Sequence, residues 1–261
     1  MNNFCGLFCT DKPRVLMENK MLWNPWHGCH KCSPGCMNCY VYYIDAYRDR
    51  TSSVVVRNKT NFDLPLKKNR QKQFKVQSGE TLATCFTSDF FIEEADDWRG
   101  EAWDMIRKRS DVYFLIPTKR IARFSRCVPE DWGEGWDNVA IAVSCENQEM
   151  ADKRIPFLLD AKIKHRILFI SPILEYVELD KYLKSGLIEQ VSVGGESYEN
   201  ARTCDFDWVR RIRETCLKYG VTFDFHQTGS NFVKDGKRYR IKHRDEHDQA
   251  RKGMEYLEKN G

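Results

Sequence analysis

The sequence predicts an α/β fold, an open or partial (β/α) barrel of about six to seven parallel strands. Two patterns point to it. Short apolar runs alternate with amphipathic stretches of about a dozen residues, as repeated βαβ units require. Each run also closes on small or polar residues, where a parallel barrel gathers its ligands. A doubly wound sheet shares this alternation and stays as the alternative.

In chain order, residues 40–48 (Y-V-Y-Y-I-D-A-Y-R) read as a helix opening at the last of four clustered cysteines. Residues 50–78, rich in Lys, Arg, Asn and Gln around a short V-V-V, read as an excursion over the surface, with Asp63-Leu64-Pro65-Leu66 its most ordered piece. Residues 81–86 (T-L-A-T-C-F) form a buried-strand pattern followed by Thr87-Ser88-Asp89. Residues 97–109 have helical periodicity through Trp98, Ala102, Met105 and Ile106. Strand 112–116 ends at Pro117-Thr118-Lys119-Arg120, with a helix to about 126; strand 139–143 ends at Ser144-Cys145-Glu146-Asn147, before a helix through Arg154, Phe157 and Leu158. Strand 166–170 ends at Ser171-Pro172, and strand 188–193 at Gly194-Gly195-Glu196-Ser197. After an amphipathic helix at 206–219, strand 221–225 ends at His226-Gln227-Thr228-Gly229. The cysteine segment supplies a further strand. Residues 1–229 are thus expected to form the barrel unit. Residues 230–261, basic and then a charged helix, are expected as a solvated face or arm.

At 261 residues the chain suits one large domain or two small ones, and its 41% hydrophobic content allows a substantial core. A net charge of +4 is too small to argue alone for nucleic acid. No apolar run reaches the length of a membrane span, and the first residues lack a charged start before an apolar core, so neither membrane nor secretion is expected. Eleven cysteines, an odd number with seven of them scattered, disfavour a disulfide framework and suit a reducing cytoplasm. The scattered ones are expected as small buried hydrophobes, except Cys5 and Cys9, which read as exposed.

The other four, Cys29, Cys32, Cys36 and Cys39, fall in W-N-P-W-H-G-C-H-K-C-S-P-G-C-M-N-C-Y at 23–40. Gly28, Pro34 and Gly35 break regular structure there, so the thiols share a tight loop. Thiolates this crowded repel unless something positive lies between them. Zinc would take all four, although its C-x-x-C pairs usually stand farther apart. A 4Fe–4S electron carrier is closer in spacing, without the usual final proline. A third possibility uses three cysteines: Cys32-x3-Cys36-x2-Cys39 has the spacing of the radical S-adenosylmethionine (SAM) superfamily, in which SAM chelates the iron left open.

The chain resembles a phage- and bacterial-genome family of radical-SAM-like proteins, the three-cysteine-motif proteins. The resemblance is carried by W-N-P-W-H-G-C at 23–29, S-P-G-C-M-N-C-Y at 33–40, T-S-D-F-F at 87–91, T-K-R at 118–120, V-S-C-E-N-Q at 143–148, V-G-G-E-S at 193–197 with Ala201-Arg202, and F-H-Q-T-G at 225–229. It implies a partial barrel of the radical SAM type, a 4Fe–4S cluster and SAM, and no particular substrate. The family triplet C-x6-C-x2-C selects Cys29, Cys36 and Cys39, with Cys32 an addition; the general superfamily spacing selects Cys32 instead. Where the superfamily often has an aromatic before the last cysteine, this chain has Asn38. The family commonly has Lys at the position of His226 and Trp at that of Thr228.

The strand ends supply the other candidates. Thr87, Ser88 and Asp89 are placed to bond the SAM amino group, with Asp89 alternatively capping the next helix. Ser144 and Glu146 are candidates for the ribose hydroxyls, while Asn147 starts a helix. Gly194 and Gly195, ahead of Glu196, allow close backbone approach to adenine or the methionyl group. Lys119, Arg120 and Arg202 are anion contacts for the SAM carboxylate or an acidic substrate. His226 and Gln227 are the catalytic, substrate-side pair, and His27 and His30 flank the cluster. The expected activity is SAM cleavage to a 5′-deoxyadenosyl radical that acts on a substrate, with nucleic acid or a nucleotide suggested by the basic tail. An external donor would supply the electron. The competing reading is a non-catalytic iron–sulfur or zinc-stapled accessory protein that binds nucleic acid or a protein partner.

Overall fold

Seven parallel strands stand side by side in the order in which the chain makes them: β1 (Met21–Trp23), β2 (Thr81–Thr84), β3 (Tyr113–Thr118), β4 (Val139–Ser144), β5 (His165–Ile170), β6 (Ile188–Gly194) and β7 (Thr222–Gln227). The computed structural model describes residues 21–260, so Cys5 and Cys9 lie outside the described residues. A doubly wound sheet reverses its strand order partway. Here the order never reverses, every crossover steps the same way, and the sheet curls through 198° into a half-barrel.

Strand alternation explains the two cores. Phe114, Ile116, Ile141, Val143, Leu168, Ile170, Val191 and Val193 join one large cluster with residues of α2 (Asp96–Lys108), α3 (Gln148–Asp160) and α4 (Phe206–Lys218). The residues between them, Leu115, Ala140, Ala142, Ile167 and Phe169, form a separate small cluster on the concave face. On β6 and β7 the concave row turns polar: Phe169 pairs with Ser192, and Ser192 with Asp224.

Three local expectations change. The strand expected to reach Phe86 stops at Thr84, because Cys85 takes a left-handed backbone (φ 60°) while its N–H bonds the Trp23 carbonyl. In α3 the buried face is Met150, Ala151, Arg154, Ile155 and Leu158, and Phe157 is half exposed. The excursion at 50–78 is docked rather than free: Phe62 and Val76 are buried, the Phe62 carbonyl accepts the Trp23 indole N–H, and Arg109 donates to the carbonyls of Pro65 and Val76.

The C-terminal segment is likewise packed. A hairpin of β8 (Asn231–Lys234) and β9 (Lys237–Arg240) leads to α5 (Glu246–Asn260), which lies against β7 and buries Glu246, Ala250 and Leu257. Only its basic strand β9 is exposed throughout. Cys85, Cys127, Cys145, Cys204 and Cys216 are free and buried. No helix among the described residues is long and apolar enough to cross a membrane.

Candidate functional site

The cysteine loop leaves β1 and lies across the C-terminal ends of its neighbours. Two tryptophans seat it: Trp23 and Trp26 are fully buried, and Trp26 donates its indole N–H to the Asp89 carbonyl beyond β2. The chain turns at Gly28 (φ 94°), whose N–H bonds the Thr87 carbonyl. A Cβ at Gly28 would stand 2.3 Å from the Val54 carbonyl oxygen, so only glycine fits. The Ser88 hydroxyl closes on the Gly28 carbonyl. Downstream, Cys39 precedes α1 (Tyr40–Tyr47), and Tyr42 donates to the Cys29 carbonyl at 2.5 Å. Asp45, buried on α1, holds His27 at 2.8 Å and Ser52 at 2.6 Å. His30 is held outward by Glu94.

Two buried carboxylates pin the loop on either side of Cys36. Glu146, beyond β4 and fully buried, accepts the Gly35 N–H at 2.9 Å and pairs with Arg154 at 2.8 Å. Glu196, beyond β6, accepts the Asn38 amide at 3.0 Å and the Arg202 N–H and Nε at 2.8 and 2.9 Å. Arg202 also donates to the Pro34 carbonyl at 2.9 Å. Burial raises both acids, but their arginines and, at Glu146, the Lys119 charge bring them below the usual carboxylate value. Each is therefore a charged clasp. Asn38, the departure from the superfamily pattern, is the residue Glu196 holds.

These contacts redefine several sequence candidates. The Glu146 carboxylate meets the loop and α3 rather than standing open for a ribose, and Ser144 is buried, its carbonyl accepting from Arg154. The space at the two glycines is filled from within. A Cβ on Gly194 would meet His226 Nε2 at 2.3 Å, and one on Gly195 the Thr228 carbonyl oxygen at 2.3 Å. Gln227 bonds the Gly195 carbonyl at 2.6 Å. Asp89 ties β2 to β3, accepting from Phe91 N–H, the Thr118 hydroxyl and Lys119 N–H at 2.8–3.0 Å. Asn147 caps α3.

The thiols themselves sit among cations. Arg120 donates to Cys29 Sγ at 3.5 Å and to the His30 carbonyl at 3.0 Å. Burial pushes the Cys29 thiol up to about 11 against the pull of that guanidinium. The neighbouring Cys32 thiol, with burial opposing and the Lys119 charge helping, lowers Cys36 to about 5, while Cys36 and burial raise Cys32. Cys29, Cys36 and Cys39 are half-buried and Cys32 is exposed. Among the described residues no three His, Cys, Asp or Glu side chains close on one point as a single metal ion requires. Thiols with two cations beside them are a donor set that an anionic iron–sulfur cluster could use. Thr87 Oγ1, at the β2 end of the loop, is buried without a hydrogen-bond partner, as a group awaiting a polar ligand would be.

The polar concave wall ends at His226. Ser192 donates its proton to Asp224 at 2.7 Å, so the 3.0 Å contact with His226 Nδ1 requires the ring to donate there. Nε2 then faces the Ser171 hydroxyl at 3.4 Å. Ser192 and Asp224 escaped the sequence reading because they sit inside strands. Arg154 gave a signal in advance, since an arginine on the buried stripe of a helix demands a carboxylate.

Fold and site together define a parallel α/β half-barrel protein with a cysteine-rich loop laid across its strand ends. The chain belongs to the family described as protein of unknown function (DUF5131), whose model matches residues 17–257. No curated protein and no solved structure matches it. The half-barrel is compatible with radical SAM enzymes.

Proposed function

We propose that the chain is a radical SAM enzyme in which Cys29, Cys36 and Cys39 hold a 4Fe–4S cluster. The observation that carries this reading is the cysteine loop bonded to the ends of β2, β3, β4 and β6 at the mouth of a parallel half-barrel. When bound and reduced by an external donor, cluster and SAM would supply one-electron cleavage of the sulfonium, releasing a 5′-deoxyadenosyl radical. The residues of this chain supply placement. Glu146 and Glu196 hold the loop rigid around Cys36. Thr87 Oγ1 offers an unused hydrogen bond, and Lys119 a cation for the SAM carboxylate. The apolar concave wall from Leu115 to Phe169 keeps water from the reacting atoms. On the opposite, polar wall His226 is the substrate-side group, its Nδ1 proton fixed by Ser192.

Half-burial of Cys29 and exposure of Cys32 favour Cys29 as the third ligand. Anaerobic reconstitution tests the assignment. Wild type and Cys32→Ala are expected to hold about four irons per chain and to show a reduced-cluster electron paramagnetic resonance signal that SAM perturbs. Cys29→Ala, Cys36→Ala and Cys39→Ala are expected to lose it. Protein that takes zinc, refuses iron and needs all four cysteines would overturn the open-cluster reading in favour of a structural staple.

A further inference from the structure

The radical chemistry uses nothing in residues 231–244, yet six cations gather there, as five do at 67–75. Lys234, Lys237, Arg238, Arg240, Lys242 and Arg244 stand against Asp235 alone. The whole chain carries only +4, so the remainder is close to neutral. Some arginines elsewhere pair with acids, as Arg57 does with Glu101, Arg107 with Asp131 and Arg123 with Asp96. Lys237, Arg238, Arg240 and Lys242 have no carboxylate partner among the described residues. They line the exposed edge strand β9 and the turn after it, where like charges repel until an anion arrives. Tyr239, 43% exposed, shares its face of β9 with Lys237, while Arg238 and Arg240 take the other, so a ligand running along this open edge can meet both.

An aromatic ladder joins this strip to the cysteine loop. Tyr43, on the helix that opens after Cys39, stacks on Tyr198 with centroids 4.1 Å apart and planes 18° from parallel. Tyr198 in turn lies 4.7 Å from His243, inside the basic segment. The ladder is held in place. Tyr198 has a left-handed backbone (φ 75°), its N–H bonds Ser230 Oγ at 2.8 Å, and buried Glu246 accepts from both Ser230 and Ser197 at 2.6 Å. Tyr43 is covered by Tyr198 on one face and remains 45% exposed.

We infer that this surface binds single-stranded nucleic acid, phosphates on the β9 cations and bases against Tyr239 and Tyr43, and so leads a strand toward the cysteine loop. Basic strips interleaved with open aromatic rings bind single strands with little sequence preference, because every base has a stackable face. A duplex offers the phosphates but keeps its base faces stacked. An acidic peptide or an anionic membrane would answer the charges and leave the rings without a reason. The inference names a substrate class for the proposed enzyme and rests on that reading for catalysis, while the binding itself does not depend on it.

Fluorescence anisotropy with labelled 20-nucleotide RNA and DNA strands, full-length protein and no added SAM, tests it directly. Binding is expected for a single strand and at least tenfold weaker for the matching duplex. Replacing Arg238, Arg240 and Lys242 with glutamine should reduce the slope of log affinity against log salt by about 2, as three lost phosphate contacts predict. Tyr239→Ala should weaken binding about five- to hundredfold with the slope unchanged, and Tyr239→Phe should restore it. RNA and DNA arms separate the two strand types. No single-strand binding at low salt, a duplex preference, or binding only to phosphatidylserine vesicles would overturn the inference. Its failure is distinct from failure of the radical reading, which is read from iron content and the SAM-perturbed signal.

Discussion

Glu146 and Gly35 show how closely the loop is fitted. A Cβ on Gly35 would stand 2.9 Å from the Glu146 carboxyl carbon, so Gly35→Ala must push the acid off its clasp. Overpacking of this kind costs about 1–3 kcal/mol, and urea denaturation should show a loss in that range together with a fall in bound iron. Glu146→Ala should cost more, about 3–5 kcal/mol, because it strands buried Arg154 without a partner. Wild-type stability in either variant would contradict the clasp. At this scale the sequence revealed residue types but not their partners. Glu146 and Glu196 were recognisable as strand-end acids, yet their bonds to Gly35 and Asn38 span 111 and 158 residues, and no local pattern encodes such a contact.

The elements were more legible, because periodicity is a local property. Six strands of the half-barrel were visible as apolar runs, the three-residue β1 was expected only as part of the cysteine segment, and the misses have local causes, such as the left-handed Cys85 that ends β2 early. The tail misled for a physical reason: charge dominates its composition, while the few residues that dock it, Ala250 and Leu257, are a minority of α5. Removing residues 230–261 should therefore expose Phe225 and Phe206 and lower stability by several kcal/mol, seen as a large drop in melting temperature or as aggregation. A truncated chain that melts like the full one would make the tail an independent arm after all.

The clasps also give the loop a pH limit. Burial raises Glu196, but its Arg202 bonds outweigh this and leave its folded pKa below the ordinary value of 4.5. A carboxyl depressed by folding stabilises above its unfolded pKa and loses that contribution as pH falls through the folded value. Hydrogen exchange of residues 32–39 in cluster-free protein should thus be slow above the ordinary carboxylate value of 4.5 and accelerate, relative to the intrinsic rate, as the pH falls below it. Glu196→Gln should remove most of that pH dependence. An unchanged profile would show that Glu196 does not hold the loop.

For the whole molecule, the sequential strand order matters most. It bends the sheet one way, brings seven strand ends to one rim, and gives a single loop after β1 access to four of them. On the proposed reading this loop carries an open cluster. The most direct measurement is 5′-deoxyadenosine formation by anaerobically reconstituted protein given SAM and dithionite, with and without an added single strand. Wild type is expected to form product, Cys36→Ala none, and wild type more when the strand is present. Protein with a full iron complement that forms no 5′-deoxyadenosine in either condition would contradict that reading.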